Sequence, residues 1–378
     1  MFDFIPIQDY YDIYINLCLF IILFTILHSY VLKLEDRKNI NYINVVGYLL
    51  LVWLILYLGM RPINGIFGDT VNYNVAFTKY AKGGRIGKES DFYWHVFMKF
   101  MSQIVNIHVF FTICAFIYIY PMYRLSKELF NKYWYYAFLM FIVSFSFYTY
   151  AVNGVRNGAA LSLFLWGLCY RDKKVIMGLF FLVATFFHKT ALLPIIAYIS
   201  TYFYNNPKVF FKGWLACIPL SLIMGNLWIT LFTSLGFGDD RLTAYLTGEA
   251  DAGTFSSTGF RWDFLFHSSF AVFAGWYFIY KKKFNDSFYN QLLNTYLICN
   301  GFWILVIKAN FSNRFAYLSW FMMAIVIIYP LLKQRFFKNQ YIMIGKIIFF
   351  YFAFTYFMSY IYYEFIKVPV PNTHHTNF

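Results

Sequence analysis

Cations at the heads of apolar stretches are the residues in this sequence best placed to do chemistry. Arg156 follows the Asn153-Gly154 turn, His188-Lys189 interrupts a long apolar run, and Arg314 follows Lys308 in a third short turn. A guanidinium suits a phosphate or diphosphate, because its planar fork donates parallel hydrogen bonds and keeps its charge. Arg156 and Arg314 each open a helix, where the positive end of the helix dipole opposes a cation, so something anionic is required close by. The competing reading is that such side chains only snorkel to lipid headgroups. A carboxylate stands in Arg61-Pro62-Ile63-Asn64-Gly65-Ile66-Phe67-Gly68-Asp69-Thr70, and Tyr73, Ala76, Phe77 and Tyr80 continue from Asp69 at helical spacing. Asp69 either caps that helix or takes or orients the proton of a hydroxyl. His188, an imidazole in a partly sheltered turn, is the other candidate base, with a hydrogen-bonded structural histidine as the alternative. Tyr73, one turn beyond Asp69, is the ring placed to stack on a sugar. Asp239-Asp240 reads as a turn after Gly238 rather than a divalent-cation site, and Lys79, Lys82, Arg85 and Lys88 read as a solvated loop. His374-His375 fall in a loose tail.

The elements that position these residues follow from composition. Of 378 residues 61% are hydrophobic, 25% aromatic and only 13% charged, with a mean hydropathy of +0.54. A disordered chain is apolar-poor and a soluble domain carries about 25% charged residues, so both are excluded in favour of a polytopic membrane protein. The expected fold is an all-α bundle of about twelve transmembrane helices in a single membrane domain, 1–378. Cys18, Cys114, Cys169, Cys217 and Cys299 all lie in apolar runs without metal spacing, and read as small buried hydrophobes. Residues 1–12 lack Lys and Arg, so the first span is expected to be retained rather than cleaved as a signal peptide.

Apolar runs occur near 13–31, 43–60, 107–123, 134–152, 155–170, 175–187, 190–204, 213–235, 262–280, 288–307, 315–332 and 341–361. Segment 93–106 is shorter. His95, Lys99, Ser102, Gln103 and Asn106 occupy one helical face and Tyr93, Phe97, Phe100, Met101 and Ile104 another, as in a helix lying in the interface. Splitting 175–204 into two short arms at His188 places the loops 32–42, 124–133, 171–174, 205–212, 281–287 and 333–340 on one side. That side then holds a strong excess of Lys and Arg and is cytoplasmic. Both termini, the loops 61–106 and 236–261, and the cations Arg61, Arg156, Lys189, Arg241, Arg261 and Arg314 fall on the outer side. Ionisable groups at membrane depth face a cavity or a partner. Arginines converging on an outer depression suit a lipid-linked phosphate or diphosphate. The large positive balance, +14, is thus explained by topology rather than by nucleic acid. No phosphate-cradling Gly-rich loop and no zinc spacing is present.

At this point the residues resemble a known family. Arg61 with the stretch Gly68-Asp69-Thr70-Val71-Asn72-Tyr73-Asn74-Val75-Ala76-Phe77 resembles the arginine, glycine–aspartate and Tyr-x-x-x-Phe signature in the first outer loop of EpsG-like proteins, which belong with the Wzy-type O-antigen and exopolysaccharide polymerases. Val155-Arg156-Asn157-Gly158-Ala159-Ala160 resembles their Arg-Gln-x-x-Ala helix start, with Asn157 in place of the usual Gln. Phe187-His188-Lys189-Thr190-Ala191 resembles their Phe-His-x-Ser/Thr-Ala turn, and Asn313-Arg314-Phe315-Ala316-Tyr317 their arginine–aromatic stretch. The resemblance implies a GT-C-like bundle in the bacterial inner membrane, acting on its periplasmic face. It implies undecaprenyl-diphosphate-linked glycans as substrates, no nucleotide sugar and no cofactor or obligatory metal, with a chain-length regulator as a further candidate partner. On this reading Arg156 and Arg314 bind diphosphate, Arg61 or Arg261 assists, and His188 or Asp69 serves the attacking hydroxyl. Arg241 and Arg261 rest on topology alone. Two other activities remain open: a lipid-linked oligosaccharide flippase, which needs ionisable groups at mid-span that are scarce here, and a membrane O-acyltransferase acting on sugars.

Overall fold

The computed structural model describes residues 4–87, 91–234, 259–309 and 312–366. All regular structure among them is helical. The chain divides into two compact units, Met1–Lys189 with Leu331–Phe378, and Thr190–Pro330. No change in composition marks either boundary, since both fall inside apolar runs or next to them.

The first unit opens with α1 (Asp9–Val31) and α2 (Arg37–Gly59), followed by the short helices α3 (Thr70–Ala81) and α4 (Phe92–Ser102). Then come α5 (Ile107–Phe130), α6 (Trp134–Ile142), α7 (Phe147–Val152), α8 (Val155–Leu168) and α9 (Lys174–Phe187). The second unit holds α10 (Leu192–Phe203), α11 (Pro207–Ser234), α12 (Trp262–Trp276), α13 (Ser287–Leu305) and most of α14 (Ser312–Lys333). The first unit closes with α15 (Gln340–Tyr356).

Among the described residues six stretches are long and apolar enough to cross a membrane: Asp9–Val31, Arg37–Gly59, Ile107–Ile142, Pro207–Gly225, Ser312–Lys333 and Gln340–Tyr362. The chain is a helical membrane protein. Several of the other runs expected to cross are divided into shorter pieces. The run 134–152 becomes α6 and α7, of 9 and 6 residues, while α8, α9 and α10 have 14, 14 and 12. At about 1.5 Å per residue each falls short of a hydrocarbon core of roughly 30 Å. The break at His188 is where the sequence places it: α9 stops at Phe187, His188 is extended (φ −158°, ψ 125°), and a 3-10 turn Lys189–Ala191 follows.

A helix interrupted inside an apolar medium must find internal partners for its freed carbonyls. Between α6 and α7 those partners are side chains. Tyr14 donates to the Ile142 carbonyl, Thr355 Oγ1 to Val143 O at 2.9 Å, and Tyr118 to Phe147 O at 3.1 Å. Elsewhere in the first unit the buried Asn39 Oδ1 accepts from Tyr136 and Tyr341, tying α2, α6 and α15 together. In the second unit, Trp214 Nε1 donates to Asn300 Oδ1 at 2.7 Å and Asn300 Nδ2 to Ser319 Oγ at 3.0 Å, linking α11, α13 and α14. Satisfied buried networks of this kind fix helix register where apolar packing alone is permissive.

The first unit has two distinct ends. One carries basic turns, with Lys127 over the Trp134 ring and Lys333 over Phe130. The other gathers the start of α1, the end of α2, α3, α4, the start of α5, the turn between α7 and α8, and the end of α9. The contacts that gather them are those of the candidate site.

Candidate active site

Within segment 61–106 the two expected amphipathic helices, α3 and α4, pack against each other. Tyr73, Phe77 and Tyr80 on α3 recur at i, i+4, i+7, and so do Trp94, Met98 and Met101 on α4. Both stripes close on Phe110, Phe111 and Cys114 of α5 and Val155 of α8, forming one buried cluster. The α4 stripe differs from the expected division of faces. The helix is buried on Trp94, Met98 and Met101, while Tyr93, Phe100 and Ile104 are 53, 64 and 62% exposed. Two faces of α4 are apolar: Tyr93 and Phe100, from the face expected to lie in the interface, stay exposed, while Met101 joins a second apolar stripe that packs inward. The outward face is what a helix in the membrane interface presents. From the expected polar face, His95 Nδ1 lies 3.0 Å from the Tyr80 hydroxyl and Gln103 donates to Tyr80 O.

Arg61 anchors the segment. It is 1% exposed and gives Nη1 to Leu58 O at 2.6 Å, Nε and Nη2 to Thr70 Oγ1 at 3.2 and 3.0 Å, and Nη2 also to Val152 O at 3.3 Å. Its guanidinium carbon sits 4.4 Å from the centre of the Phe111 ring. Burial pushes its pKa down to about 10. This corrects the expectation that Arg61 assists at a diphosphate: its hydrogen bonds go to protein, and it joins the end of α2 to α3 and α7. Next to it Gly68 has φ +58°, and a Cβ there would overlap the Asn153 amide. Only glycine fits both conditions. The bend lets the Asp69 amide donate to Asn153 Oδ1 at 3.1 Å. Asp69 stands at the head of α3 but its carboxylate makes no capping bond; it accepts from Asn72 Nδ2 at 3.4 Å.

The chemistry gathers around Arg156, the second residue of α8. Its Nη1 donates to Asp91 Oδ2 at 2.6 Å and its Nε to the Tyr73 hydroxyl at 3.1 Å. Asp91 supplies the anion that the helix dipole requires. Asp91 heads α4, yet its side chain forgoes the local cap for the long-range pair, and it is 5% exposed. On its other side His188 Nε2 stands 4.0 Å from the same Asp91 oxygen. That distance is an ion-pair contact for a protonated ring and too long for a hydrogen bond. The end of α9 is held there by aromatic packing, with Tyr93 stacked on Phe186 at 4.2 Å and Trp94 and Phe97 both 5.4 Å from Phe187.

Tyr73 therefore plays a part other than the expected one. Its ring is enclosed, edge-on to Trp94 and Phe111, so neither face is open to a sugar. Its hydroxyl holds Arg156. Burial pushes the phenol up to about 12, with Arg156 opposing the rise and the nearby Asp69 charge adding to it, so Tyr73 is no base near neutral pH.

Asp69, Tyr73, Arg156 and His188 are thus brought to one end of the first unit. Lys189 is exposed in its 3-10 turn. In the second unit, Arg261 forks onto Asp263 (Nε to Oδ1 2.9 Å, Nη2 to Oδ2 2.6 Å) and lies 3.6 Å over the Phe264 ring. Arg314 is exposed in the first turn of α14, and Lys308 donates to Leu222 O. Arg241 and the Asp239-Asp240 pair lie outside the described residues. Asp91 is the residue that sequence reasoning missed. The available signal was its position, a carboxylate heading an amphipathic helix in the same outer segment as Asp69.

Among the described residues Arg156 has no partner at Nη2, and its side chain keeps 16% of its surface open. It is an arginine oriented by two protein groups with donors left over, at the positive end of a helix. Such a group can receive an anionic oxygen without first paying to order itself.

The EpsG family model matches residues 48–369 of the chain. No curated protein and no solved structure matches it.

Proposed function

Because the chain belongs to the EpsG family, we propose that this membrane protein is a polysaccharide repeat-unit polymerase, a glycosyltransferase whose donor is an undecaprenyl-diphosphate-linked glycan. The observation that carries the reading is the pre-oriented Arg156 with unpartnered donors beside His188 and Asp91. In the step itself, a hydroxyl of one lipid-linked repeat unit attacks the anomeric carbon of the growing chain. The bond from that carbon to the diphosphate oxygen breaks, and undecaprenyl diphosphate leaves with the electron pair. His188 takes the hydroxyl proton, Asp91 at 4.0 Å stabilises the imidazolium that forms, and Asp69 orients the acceptor. Arg156 neutralises the leaving diphosphate, a contribution of several kcal/mol for a preorganised cation. Arg314, Lys189, Arg241 and Arg261 are further candidate phosphate contacts. The reading includes a GT-C-like bundle of about twelve crossings in a bacterial inner membrane, with the site facing the periplasm. A chain-length regulator is a candidate partner.

Loss of the gene tests the class of activity. A missing polymerase leaves single repeat units on the cell surface. A missing flippase leaves none, and a missing O-acyltransferase leaves full-length chains without acyl groups. The proposal expects single units, and either other outcome overturns it.

A further inference from the structure

The helix that carries Asp91 at its head leaves an apolar row open opposite its buried stripe. Phe92, Val96 and Phe100 of α4 recur at i, i+4, i+8 and are exposed, with Tyr93 and Ile104 beside them. The row is not isolated. Tyr93 stacks on Phe186 of α9, and the α9 face that ends in Phe186 exposes Val175, Leu179 and Leu182. Apolar surface therefore runs without a break from an apolar helix of 14 residues on to α4. In a membrane protein the acyl chains of the bilayer are the medium that covers such a surface.

A second row on α4 indicates which lipids. His95, Lys99 and Gln103 also recur at i, i+4, i+8. The first meets the Tyr80 hydroxyl and the last donates to Tyr80 O, so Lys99 lies along the seam between α3 and α4, at the edge of the apolar row. Lys79 stands in the last turn of α3, and Lys82 and Arg85 follow it, all three exposed. The negative end of a helix dipole favours Lys79 and Lys99 in their last turns, but it does not reach Arg85. Among the described residues no carboxylate pairs with any of these four cations. The described acids of the segment are Asp69, at the head of α3, and Asp91, which is committed to Arg156. An apolar face flanked by cations is the pattern that lies in the headgroup region of an anionic leaflet. A second copy of the chain would cover the apolar row but would bring no counter-charge of its own to match the four cations, since its net charge is +14.

We propose that α3 and α4 dock on the leaflet at their end of the first unit, with the α4 row among acyl chains and Lys79, Lys82, Arg85 and Lys99 on the phosphates of anionic phospholipids. Docking steadies the helix whose head carries Asp91, so anionic lipid sets the order of the Asp91–Arg156 pair. The docking stands on this surface alone, and its effect on turnover rests on the polymerase reading.

The test is amide hydrogen exchange on the purified full chain in nanodiscs of phosphatidylcholine, with and without phosphatidylglycerol. Phosphatidylglycerol is expected to slow exchange over Phe92–Ser102 by about fivefold or more, the bias that one cation gains near an anionic surface. Lys79→Gln, Lys82→Gln, Arg85→Gln and Lys99→Gln combined should abolish the difference. So should Phe100→Gln with Ile104→Gln, two side chains too exposed for the fold to depend on them. Lys281→Gln, Lys282→Gln and Lys283→Gln combined should leave it in place. Exchange over α4 that is the same in both discs, or slowing that survives the fourfold variant, refutes the docking and leaves the polymerase reading untouched. Slowing that needs two copies per disc rather than phosphatidylglycerol assigns the row to a second copy and also refutes it. If the fourfold variant fails to fold, the Phe100 and Ile104 pair decides alone. If α4 responds to phosphatidylglycerol while the wild-type protein makes no polymer from a lipid-linked repeat unit, the docking stands and the polymerase reading falls.

Discussion

Replacing Arg156 with alanine is expected to cut polymerisation by roughly two to three orders of magnitude, the loss seen when a preorganised charge-stabilising donor is removed from an active site. The readout is glycan length on gels at matched expression, or turnover of a lipid-linked repeat unit by purified protein. Arg156→Lys keeps the charge but cannot donate to Tyr73, Asp91 and a ligand in one plane, so it should recover only part of the rate. The structure also offers a rival explanation for any such loss. Arg156→Ala strands a buried carboxylate at Asp91, and breaking a buried pair costs about 3–5 kcal/mol. The Arg156→Ala, Asp91→Ala double variant separates the two. It removes the stranded charge and should regain stability. If Arg156 serves the leaving diphosphate, the double variant, although folded, stays far less active than Asp91→Ala alone. Recovery of long chains by the double variant would reduce Arg156 to a counter-ion for Asp91.

The second large effect is on stability. Arg61→Met is expected to destabilise the first unit by on the order of 3 kcal/mol or more, because Leu58 O, Val152 O and Thr70 Oγ1 lose a charged donor inside a site closed to water. Part of the loss is the cation–π contact with Phe111, worth about 2 kcal/mol when desolvated. Arg61→Lys should fare little better, since an ammonium cannot reach carbonyls on α2 and α7 and a hydroxyl on α3 together. Thermal unfolding in detergent reads this directly. A variant that unfolds at the wild-type temperature yet makes no polymer would return Arg61 to the ligand-binding role that the sequence suggests.

What the sequence reveals and what it hides follow from the range of the forces involved. Helical membrane character is set by composition, and the interruption at His188 is visible because two polar residues break thirty apolar ones. Arg156, His188 and Asp69 are visible because each is an ionisable group where apolar residues prevail, and the helix dipole alone shows that Arg156 needs an anion. The identity of that anion is a long-range fact. Asp91 lies 65 positions away, and nothing local distinguishes it from a helix cap. The same limit explains Arg61 and Tyr73. Their residue types suggest phosphate and sugar, but burial, which tertiary packing decides, turns one into a strut and the other into a clamp on Arg156. The lengths of individual helices are hidden for a different reason. Hydropathy registers apolar runs, while the breaks that shorten them, such as the one between α6 and α7, are sustained by distant hydroxyls from Tyr14, Tyr118 and Thr355.

The most direct test is a reconstitution of the purified chain with a synthetic undecaprenyl-diphosphate-linked repeat unit as the sole substrate, with no nucleotide sugar added. The account predicts a ladder of lengthening glycans, free undecaprenyl diphosphate released in step with each added unit, and loss of both with Arg156→Ala. Substrate that remains at one repeat unit with properly folded wild-type protein, or release and elongation unchanged by Arg156→Ala, would contradict it.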